Sequence, residues 1–60
     1  MKNAVKKIVA KYNEWVANDE IYKTWESEDY DNAMVYENVE GDVIAIEYDE
    51  NGKIIDAWEN

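Results

Sequence analysis

The chain has no cysteine, histidine, proline, phenylalanine, leucine, arginine or glutamine, and only two glycines. Without cysteine and histidine, neither a disulfide nor a zinc site of the common kinds is open to it. The missing histidine also removes the usual general base. Ser27 and Thr24, the only aliphatic hydroxyls, have nothing to activate them and lie outside any nucleophile-elbow pattern. A pair of carboxylates could do acid–base work in a cleft, but sixty residues are too few to enclose the cavity that catalysis needs. The expectation is a protein that is not an enzyme and carries no cofactor. Leucine is ordinarily among the commonest residues, so its absence indicates either a short gene of unusual composition or a restricted alphabet chosen by a designer. No apolar run approaches the ~18 residues of a membrane span, and no signal-peptide pattern precedes the first periodic segment. A cytoplasmic protein without membrane contact is the expectation.

What the chain does have is aromatic surface and negative charge. Three tryptophans and five tyrosines are a heavy load for one small domain spanning residues 1–60, and such side chains serve cores and interfaces alike. A chain this short buries only about 60% of the surface exposed when unfolded, so stability must come from aromatic packing, self-association or a partner. Fifteen acids against six lysines leave a formal charge of −9. That disfavours direct contact with nucleic acid or an anionic membrane and favours a basic partner or simple solvation. The charge is uneven. Lys2, Lys6, Lys7 and Lys11 precede the first acid, Glu14.

Ala4, Val5, Ile8, Val9, Tyr12, Trp15 and Val16 recur at helical spacing and fill an arc of about 140°. This predicts an amphipathic helix over residues 3–17, with Asn3 as N-cap and Asn18–Asp19 as its end. Its lysines oppose the helix dipole, and they read as a solvated rim around the core or as a surface facing the chain's own acidic sheet or an acidic partner. Residues 19–27 fit a short second helix capped by Asp19, and Ile21, Lys23 and Trp25 also alternate as a strand. The acids at the start favour the helix. Glu26 to Asp31 reads as a polar connection, Ala33–Glu37 as a strand, and Asn38–Gly41 as a turn.

The organising stretch is Asp42–Glu59, where two β-branched, aromatic-bearing runs flank Asn51-Gly52, a strong hairpin signal. The fold class that follows is α+β: an N-terminal amphipathic helix, with a possible short second helix, packed on a three-stranded antiparallel meander. A two-residue turn would pair Tyr48 with Ile55 and Ile46 with Ala57. It places Ile44, Ile46, Tyr48, Ile55 and Ala57 on one face, and Val43, Ala45, Glu47, Ile54, Asp56 and Trp58 on the other. A longer turn with a bulge at Gly52 would shift the pairing by one residue. The two-residue turn separates apolar from acidic side chains more cleanly. In either register apolar groups remain on the face away from the helix, which points to a partner, and the strand edge at Ala33–Glu37 or Lys53–Glu59 stays open.

Asp49-Glu50-Asn51-Gly52 and Asp29-Tyr30-Asp31-Asn32 look like calcium loops but fail the EF-hand pattern, since neither has glycine at the sixth position. No metal site is expected. The acids themselves remain. Glu47, Asp49 and Asp56 would share a sheet face at a spacing of about 6.6 Å, within reach of loosely imitating phosphates that advance by about 3.4 Å. In tiny size, acidity and surplus aromatics the chain resembles the small inhibitors that phages and mobile elements direct at host nucleic-acid enzymes: DNA mimics, anti-restriction and anti-CRISPR proteins. This is a likeness to a functional class, carried by bulk properties alone. It implies inhibition by occupying the basic surface of a nucleic-acid-binding protein, in the host cytoplasm if phage-encoded. The partner-binding residues would be Glu26, Glu28, Asp29, Asp31, Glu47 and Asp56, with Tyr30 and Trp58 as aromatic anchors. The alternative is a self-associating module, possible as a homodimer, or an engineered mini-scaffold without catalytic function.

Overall fold

In a computed structural model describing residues 2–60, one helix, α1 (Asn3–Ala17), is followed by four strands: β1 (Ile21–Glu26), β2 (Ala33–Asn38), β3 (Val43–Tyr48) and β4 (Ile54–Glu59). The strands form one antiparallel sheet in the order β1-β2-β3-β4. The α+β class and the boundaries of the first helix stand as expected, whereas the meander has four strands rather than three. No helix among the described residues is long and apolar enough to cross a membrane.

The helix begins one residue earlier than Asn3 suggests. Lys2 is the N-cap, in extended conformation and without a side-chain cap bond. At the other end, Asn18 is the C-cap and Asp19 takes a left-handed φ of 56°. Glu20 N–H then donates to Trp15 O at 2.8 Å and Asp19 N–H to Val16 O at 3.2 Å, the paired bonds of a Schellman ending. This reversal overturns the second helix. It consumes Asp19 and Glu20 in closing α1, and Ile21–Glu26, rich in β-branched and aromatic side chains, runs on as a strand. A bulge between Ile21 and Lys23 then ejects Tyr22, which is 72% exposed. Ile21 consequently faces the helix while Lys23 and Trp25 face away from it.

The two later turns are the same device used twice. Asn38 N–H donates to Asp42 O and Asp49 N–H to Lys53 O, at 3.0 and 2.7 Å. In each turn the first side chain caps two backbone N–H groups: Asn38 Oδ1 accepts from Glu40 and Asp42, and Asp49 Oδ1 from Asn51 and Lys53. In each, the fourth residue is a glycine at positive φ, 89° at Gly41 and 83° at Gly52. These are three-residue loops with glycine at the left-handed position. Asn51-Gly52 is therefore not a two-residue turn. The loop pairs Tyr48 with Ile54, and a bulge at Ile55 restores Glu47↔Asp56 and Ile46↔Ala57. Ile54 takes the core position expected of Ile55, which is left 56% exposed.

The core lies between α1 and the β3–β4 half of the sheet. Val5, Ile8 and Trp15 bury against Ile44, Ile46 and Ala57, with Val9, Tyr12, Ile21, Tyr36, Tyr48 and Ile54 packed around them. Ala4 and Val16, at the borders of the apolar stripe, remain exposed. Tyr12 and Tyr36 rings lie 4.5 Å apart, and the Tyr36 and Tyr48 hydroxyls share a 3.0 Å hydrogen bond. Burial and then that bond push the Tyr36 hydroxyl far above the usual phenol range.

Two outcomes follow from this core. Ile46, with no exposed surface, should lose about 3 kcal/mol on substitution by alanine, enough to leave so small a domain largely unfolded in a urea titration. Tyr36 holds its proton more tightly folded than unfolded, so its contribution is intact below about pH 10 and drains away as pH rises further. In thermal melts the native protein should lose stability above that pH more steeply than Tyr36→Phe; parallel curves would show that the hydroxyl is not so held.

An acidic aromatic face opposite the helix

Strand pairing aligns Trp25, Val35, Ala45 and Trp58 in one row across all four strands, on the face that α1 does not cover. Side chains of Cα partners share a face, so the row above holds Lys23, Glu37 and Val43, and the row below holds Ala33, Glu47 and Asp56. Although no helix lies on this face, Ala33, Val35 and Ala45 are 2%, 4% and 1% exposed. Their cover comes from the two half-buried tryptophans and from the loop joining β1 to β2, residues 27–32.

That loop is built to fold over. Ser27 Oγ accepts from the N–H groups of Asp29 and Tyr30 at 3.2 and 3.3 Å, which tightens the turn. Asn32 adopts a left-handed φ of 60°, a conformation asparagine tolerates. Its carbonyl accepts from Tyr48 N–H at 2.9 Å, and Ser27 N–H donates to Ala33 O at the same distance. The loop so anchored places the Tyr30 ring 4.9 Å from Trp58, tilted by 59°, within the range of favourable edge-on aromatic pairs. Between Trp25, Tyr30 and Trp58 lies a groove of about 250 Å³, floored by Val35 and Ala45 and rimmed by Glu28 and Asp29.

Most of the residues singled out from sequence meet here. Glu28, Asp29, Tyr30 and Asp31 lie on the loop, Glu47 and Asp56 are cross-strand partners, and Trp58 packs against the tilted ring of Tyr30. Glu26 is on the other face of β1, opposite Met34. It lines a separate open groove of about 390 Å³ with Tyr30, Asp31 and Tyr48 at the end of the sheet. Asp49, expected to extend the acidic row, instead spends its carboxylate on turn N–H groups. Trp25 was missed. Its place in the row requires β1 to be a strand, and the signal was the Ile21-Lys23-Trp25 alternation.

Electrostatically the two sides differ. The lysines of the sequence's first segment belong to α1 or its N-cap, and Lys11 Nζ makes a 3.1 Å ion pair with Glu59, the one such pair among the described residues. The acids of the opposite face therefore carry no ion-pair partner, and Glu47 stands directly across from Asp56, a destabilising arrangement of like charges. Asp56 has one further task. Val43 O accepts from Asn60 N–H, so by alternation the Ala57 N–H points away from β3 toward the open edge. Asp56 Oδ1 accepts it at 2.9 Å, which obstructs the edge to a further strand. The open edges are β1 and β4; β2, once expected to be open, is covered by β1. Among the described residues no three acids gather closely enough to hold a metal ion.

No protein family, curated protein or solved structure gives a significant match to the chain.

If the Glu47–Asp56 opposition costs stability, Glu47→Gln should raise the unfolding free energy by about 0.5 kcal/mol at low salt. The gain should shrink in 1 M salt as the repulsion is screened. A less stable Gln variant in urea titrations would mean that the Glu47 carboxylate is satisfied where it sits.

Proposed function

We propose that this is a small acidic binding protein that inhibits a nucleic-acid-processing protein by seating its uncovered sheet face on that protein's basic surface. The observation that carries the reading is the Glu47–Asp56 opposition beside the Trp25–Val35–Ala45–Trp58 row. Two acids are cross-strand partners that enter no ion pair among the described residues, next to aromatic side chains that no helix covers. A basic partner would relieve the repulsion and bury the aromatics in one step. Glu28, Asp29 and Asp31 extend the same charge onto the loop, and the net charge of −9 opposes direct contact with nucleic acid. Self-association through a strand edge is the competing reading. Both open edges are obstructed, β4 by the Asp56 cap on Ala57 and β1 by the Tyr22 bulge, which counts against it.

The test is competition with duplex DNA for basic DNA-binding proteins, followed by light-scattering mass and by titration across a salt series. The protein should displace DNA, with an affinity that falls about tenfold or more between low and 0.3 M salt. Asp29→Lys combined with Asp31→Lys, both exposed, should abolish displacement while circular dichroism stays unchanged. A salt-insensitive dimer that leaves DNA binding untouched would overturn the reading in favour of self-assembly.

A further inference from the structure

We infer that the groove between Trp25, Tyr30 and Trp58 is a receptor for a single arginine side chain of the partner protein. The inference rests on the docking of this face proposed above and names the contact at its centre. Trp25, Tyr30 and Trp58 line the groove, with Tyr30 tilted by 59° against Trp58, together with the buried pair Val35 and Ala45 and a largely polar margin of Ser27, Glu28, Asp29 and Asn60. A space of about 250 Å³ suits one long side chain rather than a peptide segment or a nucleotide. Aromatic faces carry a negative quadrupole that attracts cations within about 6 Å. The fold already shows this attraction on one wall, where the Lys23 ammonium sits 5.5 Å from the centre of the Trp25 ring.

The rim chooses among cations. Glu28 and Asp29 are among the lining residues and enter no side-chain ion pair among the described residues, while their loop is fixed by the Ser27 hydroxyl. A guanidinium is planar and weakly hydrated, and can stack on an indole while its edge donates to a carboxylate. An ammonium is compact and strongly hydrated, and uses one such contact less well. This chain has no arginine of its own, and the internal cation recorded over these rings is the Lys23 ammonium on Trp25, which an incoming guanidinium would have to share or displace.

Three blocked amino acids distinguish the possibilities without any protein partner: Nα-acetyl-arginine methylamide, its neutral isostere Nα-acetyl-citrulline methylamide, and Nα-acetyl-Nε-trimethyllysine methylamide. Each is titrated into the 15N-labelled protein, with the indole N–H signals of Trp25 and Trp58 and the amides of residues 27–32 followed. The arginine compound should shift these signals with an affinity several-fold above that of citrulline, as expected for a cation over partly exposed rings. Glu28→Gln with Asp29→Asn should weaken arginine several-fold and leave citrulline unchanged. Equal binding of arginine and citrulline, or no shift at the two indoles, would overturn the inference. Tighter binding of trimethyllysine than of arginine would also overturn it, by showing a receptor for methylated ammonium. The outcome is separable from the proposed function, because displacement of DNA by the whole face is read independently of these small probes.

Discussion

One helix has to serve a four-stranded sheet. α1 contributes Val5, Ile8 and Trp15 to a core against Ile44, Ile46 and Ala57, and its length lets it cover mainly the β3–β4 half of one face. In a longer chain a second layer would close the other face. Here the chain supplies local cover instead: large rings at Trp25 and Trp58 on the outer strands, small side chains at Val35 and Ala45 between them, and Tyr30 folded back on its loop. Small residues in the middle and rings at the margins leave a groove between the rings.

The turns and bulges decide which side chains reach each face. Asn38 and Asp49 each start a loop in which their own oxygen replaces two backbone acceptors, and glycine three residues later takes the left-handed conformation. Such a loop pairs Tyr48 with Ile54, and without compensation the shifted register would bring Trp58 to the helix side. The bulge at Ile55 cancels the shift. Trp58 thereby reaches the outer face and Ala57 the core, at the cost of exposing one isoleucine. The Tyr22 bulge does comparable work on β1, sending Ile21 inward and Trp25 outward although the two residues are four apart.

Charge follows the same division. Four of the six lysines belong to the helix and its cap, so the outer face receives Glu47, Asp56 and the loop acids with Lys23 alone among the strand lysines beside them. Isolated acids on a small protein keep it dissolved. Two acids paired across neighbouring strands beside half-buried rings add a repulsion that, in the reading proposed above, a basic surface would remove. The arginine receptor proposed for the groove would place the partner's cation where the rings and the rim carboxylates converge.

Much of this was legible in the residues. The 3.6-residue stripe from Ala4 to Val16 determined the extent of α1, with its N-cap misplaced by one residue, and the alternating runs after Gly41 determined an antiparallel hairpin. The acidity and the surplus of aromatics named the kind of surface before any of it was placed. What only the tertiary structure decided depends on interactions between distant segments. Residues 21–26 alternate weakly and follow two acids, Asp19 and Glu20, so local preference alone suits a helix; they become a strand because Asp19 closes α1 and β2 offers an unpaired edge. Gly52 serves a two-residue or a three-residue turn equally well by itself; Asp49 capping two N–H groups selects the longer one, a choice foreshadowed only by the matching spacing of Asn38 and Gly41. The Trp25–Trp58 row was invisible for the same reason. It spans thirty-odd residues of chain, and it exists only once four strands and two bulges have set their register against one another.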